Sequence, residues 1–96
     1  MTAQDVAERL QRSRSQWEPY GVRALFLFGS IVRGEGRVDS DIDLIVDFSR
    51  PIGLFDFIGL QETLGAVLGR RVDLVTRAAL KPRIRDRVLA EAVRAA

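Results

Sequence analysis

Gly29-Ser30, then ten residues, then Asp41-Ile42-Asp43 is the feature that most restricts how this chain can fold. Gly-Ser follows an apolar run, Ala24-Leu25-Phe26-Leu27-Phe28, and Asp-x-Asp opens a second, Ile42-Asp43-Leu44-Ile45-Val46. A third acid, Asp73, lies inside Val72-Asp73-Leu74-Val75. Strand side chains alternate faces, so Asp41 and Asp43 point the same way, with α-carbons roughly 6.6 Å apart. Ile42, Leu44 and Val46 then point the other way, into apolar packing. If the third strand lies beside the second, Asp73 joins the acidic face.

Three such acids are expensive. Two like charges ~5 Å apart repel by about 3 kcal/mol at an effective dielectric of ~20. A domain of this size has a total stability of only about 5 to 10 kcal/mol. A hard divalent cation removes that penalty. The chain has no cysteine and no histidine, so any metal chemistry must run mainly on carboxylates. Oxygen-only ligands favour Mg²⁺ or Mn²⁺ over zinc, and a pair of such ions can clamp an in-line phosphoryl displacement. Taken singly, Asp41 and Asp43 read better as solvated acids at an exposed strand end, and Asp73 as a surface partner for Arg70 or Arg71. The conjunction with the Gly-Ser turn points to a metal site. A glycine after a strand lets the backbone approach a ligand closely, Ser30 adds a hydroxyl, and the start of a short helix offers free N–H groups to phosphate. Arg33 lies about one helical turn further on and reads equally as a group reaching a terminal phosphate or as a surface arginine. Glu35, Asp39 and Asp47 read as solvated.

The rest of the chain reads as a single α/β domain over residues 1–96. Thr2 with Asp5 forms a capping-box-like start, and Val6, Leu10 and Trp17 recur at helical spacing up to Pro19 and Gly21. Val22–Phe28 reads as a buried strand, 29–40 as a loop with one helical turn, and 41–48 as the second strand. Leu54–Leu68 fits a helix closed by Gly69, 72–76 a third strand, and Pro82 opens a last helix with Ile84, Val88, Leu89 and Ala92 as its buried stripe. The predicted architecture is a small mixed β-sheet packed with helices. No apolar run approaches the ~20 residues of a membrane span, and no signal-peptide core is visible, so the expected location is the cytoplasm. The net charge is only +2, with 15 basic residues against 13 acidic ones, which argues against general nucleic-acid binding.

These residues resemble the minimal nucleotidyltransferases of the polymerase-β-like superfamily. The match rests on Leu27-Phe28-Gly29-Ser30, Arg33-Gly34-Glu35, Ser40-Asp41-Ile42-Asp43-Leu44 and Val72-Asp73-Leu74-Val75. Leu80-Lys81-Pro82 and Glu91-Ala92-Val93 match less specifically. The resemblance implies the polymerase-β-like fold and transfer of a nucleoside monophosphate from ATP to a hydroxyl, with release of pyrophosphate. It implies that Asp41 and Asp43 hold two Mg²⁺ ions, and that Asp73 completes one metal and helps activate the acceptor. Gly29 and Ser30 would bind the β and γ phosphates. Small members of this family are often antitoxins that transfer AMP to a tyrosine of a HEPN-type ribonuclease toxin, giving a hetero-oligomer as the expected assembly. The chain lacks the extra domain of larger members, which favours a protein acceptor. A non-catalytic module that neutralises a partner by contact, and a subunit modifying a small molecule such as an aminoglycoside, are the alternatives. Phe55, Phe57, Ile58 and Leu60 exceed one core stripe, and Arg83, Arg87 and Arg94 recur at helical spacing. One of these two faces is expected to contact the partner.

Overall fold

The computed structural model describes residues 1–37 and 39–96. Val38, inside the 29–40 loop, lies outside the described residues. The helices are α1 (Ala3–Arg12), α2 (Arg14–Trp17), α3 (Leu54–Leu68) and α4 (Pro82–Glu91). The strands are β1 (Val22–Phe28), β2 (Ile42–Phe48), β3 (Val72–Val75) and β4 (Val93–Arg94). They form one mixed sheet in the order β3-β2-β1-β4. β1 runs antiparallel to both β2 and β4, while β2 and β3 are parallel. Parallel neighbours need a crossover, and α3 supplies it.

The alternation along β2 divides the sheet into two unequal faces. Ile42, Leu44 and Val46 join Leu25, Leu27, Val72 and Leu74 in the main core, where they meet Val6, Leu10 and Trp17 of α1 and α2 and Leu60, Leu64 and Leu68 of α3. On the opposite face a smaller cluster gathers Ile45, Leu80 and Val88, with Phe26, Phe28, Val75, Leu89 and Ala92 packed against it. Leu80 and the apolar side of α4 cover Ile45 there and leave the Asp43 end of the face more open. The acids therefore sit where the small core stops.

Several boundaries follow the sequence closely. Thr2 Oγ1 accepts from the Asp5 amide at 3.1 Å and the Thr2 amide donates to Asp5 Oδ2 at 2.8 Å, completing the capping box. α3 ends at Gly69, which takes a left-handed φ of 65°. Others differ. The first helix stops at Arg12 because side chains take its terminal carbonyls: Ser13 Oγ donates to Arg9 O at 2.8 Å and Trp17 Nε1 to Leu10 O at 2.9 Å. α2 and a 3₁₀ turn at Glu18–Tyr20 then carry the chain to Gly21. β2 begins at Ile42, so Asp41 precedes the strand rather than opening it. β3 ends at Val75, and Thr76 instead caps the 3₁₀ turn Arg77–Ala79.

The C-terminal segment departs most. Ile84 is exposed rather than part of a buried stripe, and Leu80 fills the space beside Val88. α4 ends at Glu91, and β4 pairs with Phe26 and Leu27 of β1. Ala95 and Ala96 are buried, with the Ala95 amide donating to Leu25 O at 2.8 Å and the Leu25 amide to Ala96 O at 3.0 Å. A two-residue strand followed by alanines carries no periodic signal to read. Among the described residues, no helix is long and apolar enough to cross a membrane.

Leu44 is fully buried at the centre of the main core. Leu44→Ala is expected to lower unfolding free energy by about 3 kcal/mol, read from the midpoint of urea denaturation at unchanged slope.

Candidate functional site

The register of the sheet brings the predicted acids to one end of the open face. Asp43 pairs in register with Asp73 across the parallel β2–β3 ladder and with Phe28 across the antiparallel β1–β2 ladder. Laterally aligned residues share a face, so Asp43 and Asp73 stand side by side. Asp43 is half-buried, while Asp41 and Asp73 are exposed. Burial, and then the neighbouring charges of Asp73 and Asp41, push the Asp43 carboxyl up to about 6, against the opposing pull of Arg33. Among the described residues, none of the three acids forms an ion pair. The described residues also contain no group of three or more Asp, Glu, His or Cys side chains converging tightly enough to hold a metal ion. Uncompensated like charges favour side chains that point apart.

Asp47, on the same face and the same strand, makes an instructive contrast. It reads as solvated in the sequence, yet Arg77 grips it with Nε at 3.0 Å from Oδ1 and a second nitrogen at 3.3 Å from Oδ2. The same guanidinium lies 4.9 Å from the centre of the Phe26 ring. Asp47 is thus a neutralised structural acid; Asp43 has no such partner. Nor does Arg70 pair with Asp73. It donates to Arg37 O at 2.7 Å and to Ser40 O, which ties down the end of the loop that delivers Asp41.

The Gly-Ser turn meets these acids directly. Gly29 has φ 78°, and a Cβ built on it would run into Asp43 Oδ2. Glycine is required there twice over, for the left-handed backbone and for the close approach. Gly29–Ile31 forms the single helical turn expected in the loop, as a 3₁₀ turn. Ser30 lines a small cleft together with Ile31, Ser40, Asp41 and Arg70. Arg33 reaches back toward the same end, with Nε 3.1 Å from Glu35 Oε2 and NH1 2.9 Å from Glu91 Oε1. Glu35 is therefore paired at the surface rather than simply solvated. Glu91 also accepts from the Gly29 amide at 3.1 Å. Sequence reasoning did not assign Glu91 to the site. It lies 62 residues from Gly29, and no spacing rule connects the end of a helix to a turn that far away.

The raised carboxyl of Asp43 has a consequence for stability. A carboxyl lifted in the folded state contributes fully below its ordinary value of 3.8, and that contribution is lost as pH rises through about 6. Ionised Asp43 thus costs the fold roughly 1–2 kcal/mol, allowing for its exposed half. Asp43→Asn is expected to raise the melting temperature of the metal-free protein at pH 7.5. The gain should shrink as pH falls from about 6 toward 3.8, as read by thermal denaturation across pH. A variant that melts lower than the parent at pH 7.5 contradicts this account of the acids.

Comparison with known proteins agrees with this geometry. The nucleotidyltransferase domain family matches residues 7–95. The protein adenylyltransferase MntA of Thermococcus cleftensis is 51% identical over 76 residues, which span 79% of this chain and 77% of that protein. A solved structure described as a minimal nucleotidyltransferase superposes with a TM-score of 0.79 at 39% identity, over 97% of this chain and 95% of the other. A chain from the structure of a tri-AMPylated Shewanella oneidensis HEPN toxin in complex with MNT antitoxin matches with a TM-score of 0.66 over 95% of this chain and 71% of its own length. Its identity is 17%, so that likeness speaks for the fold alone. With its family match, its sequence relatives and its mixed sheet all in agreement, the chain belongs to the minimal nucleotidyltransferases of the polymerase-β-like superfamily.

Proposed function

We propose that this nucleotidyltransferase is a protein adenylyltransferase that transfers AMP from ATP to a tyrosine of a HEPN-type toxin and so acts as its antitoxin. The observation that carries the reading is the placement of Asp43 beside Asp73 in register, with Gly29 packed against the Asp43 carboxylate. On this reading the acids and the Gly29 turn act together as one site. The name of the Thermococcus relative supports the activity; the Shewanella complex contributes a fold shared with an MNT antitoxin, and the HEPN acceptor rests on the family resemblance.

The residues fit a divalent cation of the Mg²⁺ type. The donors are all oxygens, and Asp43 is half-buried among like charges, with Arg33 exerting only a weaker opposing pull and no ion pair to it among the described residues. Asp41 and Asp43 would hold two such ions, with Asp73 completing one of them. Bound there, the ions supply charge neutralisation on the transferring phosphoryl group. The chain's own groups do the rest. Gly29 and Ser30 hold the β and γ phosphates, and Arg33 steadies the terminal one. The tyrosine oxygen attacks the α-phosphorus, the bond from that phosphorus to the pyrophosphate oxygen breaks, and Asp73 draws the hydroxyl proton away from the attacking oxygen.

The partner has a surface to use. Leu54, Phe55 and Ile58 at the start of α3 are exposed, Phe55 to 88%. Leu60, by contrast, is buried in the main core, and Phe57 packs against it. Arg83 and Arg87 of α4 face solvent. We assign toxin contact to the α3 face, where large apolar side chains lack cover.

The test is incubation with ATP labelled at the α-phosphate, Mg²⁺ and a HEPN-type toxin encoded beside this chain's gene. Label is expected on a toxin tyrosine. Asp41→Asn with Asp43→Asn should reduce transfer by about a thousand-fold while the circular dichroism spectrum is retained. A stable complex without any label would instead favour neutralisation by contact alone. Phe55→Asp is expected to weaken toxin binding by about tenfold or more and to leave the melting temperature within a degree or so, since the side chain is exposed.

A further inference from the structure

Two donors at the head of the Gly29 turn converge on one oxygen contributed from far along the chain. Glu91 Oε1 accepts from the Gly29 amide at 3.1 Å and from Arg33 NH1 at 2.9 Å. Local helix energetics do not account for this residue. Glu91 is the last residue of α4, where an anionic side chain faces the partial negative charge of unpaired carbonyls. Its two distant donors offset that penalty.

The backbone on both sides of Glu91 is anchored. Val88, one turn earlier, is buried in the smaller core. Val93, two residues later, pairs with Leu27 of β1. The same strand carries Phe28 into Gly29, so Glu91 and the turn hang from one rigid support. The Glu91 side chain is only 25% exposed, whereas Glu35, on the other edge of the Arg33 guanidinium, is 62% exposed and screened by water.

We propose that Glu91 is a positioning residue for the nucleotide: its carboxylate locks the Gly29 amide and the Arg33 guanidinium into one geometry, so that the turn is set for phosphate oxygens before they arrive. This inference rests on the reading of the Gly29 turn as the phosphate site, with the Gly29 N–H held by Glu91 and Ser30 and Arg33 meeting the phosphates. An arginine side chain and a glycine turn both lose freedom on binding a ligand, and a contact that orders them beforehand strengthens binding. The opposite role, a carboxylate standing in for phosphate and expelled by it, predicts the opposite sign.

The experiment is calorimetric titration of the parent, Glu91→Ala and Glu91→Gln with a non-hydrolysable ATP analogue in Mg²⁺, beside KM and kcat for transfer. Glu91→Ala is expected to raise Kd and KM about tenfold and to leave kcat within about twofold. Glu91→Gln keeps an oxygen acceptor on the same stem and should recover most of the loss. Unchanged or tighter binding by Glu91→Ala overturns the proposal, and tighter binding establishes the stand-in role. Should the alanine variant fail to fold, the sign of the Glu91→Gln change decides alone, a roughly threefold weakening being expected. A lower melting temperature with unchanged Kd and KM would reduce Glu91 to a structural contact. A parent that binds no nucleotide overturns the phosphate reading of the turn itself, a result distinct from any difference among the variants.

Discussion

The half-buried Asp43 carboxyl, set among the like charges of Asp73 and Asp41 and only partly offset by Arg33, is the constraint around which this molecule is arranged. Elsewhere on the sheet the fold solves its charge problems. Asp47, two strand positions further along the same face, is gripped by Arg77. Arg70, three residues before Asp73 in the sequence, is committed to the carbonyls of Arg37 and Ser40. At Asp43 the fold does the reverse: it half-buries the carboxyl and sets a second acid beside it in register, and among the described residues none of the three acids has an ion pair. A domain of 96 residues has little stability to give away. Acids held in this way make physical sense as ligands for a cation that arrives with its substrate.

The architecture around the acids serves that arrangement. The main core, built on Leu44 and its neighbours, carries the sheet without help from the acidic end. The smaller cluster on the other face lets α4 cover Ile45 and stop. Because α4 stops there, its last residue reaches the Gly29 turn, and β4 then fastens the chain end to the strand from which that turn emerges. The Gly29 turn, Asp43 and the segment after α4 thus share β1 and β2 as a common frame, with Asp73 alongside on β3. The Asp43 carboxylate fills the space a Gly29 side chain would need, which brings the turn and the acids into atomic contact.

Much of this was legible in the sequence because it depends on local alternation. Residues two apart on β2 had to share a face, so Asp43 could be separated from Leu44 without knowing the sheet order. The lateral match of Asp73 depended on one further condition, that β3 lie beside β2, and the crossover through α3 meets it. What escaped was non-local or aperiodic. Ser13 and Trp17 break the first helix through side-chain bonds to its carbonyls, which hydrophobic spacing cannot reveal. Asp47 and Arg77 are 30 residues apart, and their pairing exists only once β2 and the turn after β3 are neighbours. β4 is two residues long, and Glu91 sits at the end of a helix whose expected stripe ran past it.

Manganese is the most direct probe of the central claim, because Mn²⁺ replaces Mg²⁺ at oxygen sites and reports its own binding. Electron paramagnetic resonance titration of Mn²⁺, with a non-hydrolysable ATP analogue present, should be run on the parent and on Asp43→Asn with Asp73→Asn. The account predicts that the parent binds Mn²⁺ beyond what the nucleotide alone holds, and that the double variant loses this fraction while keeping its fold. Equal Mn²⁺ binding by parent and double variant would contradict it, and would leave the clustered acids without the cation that explains them.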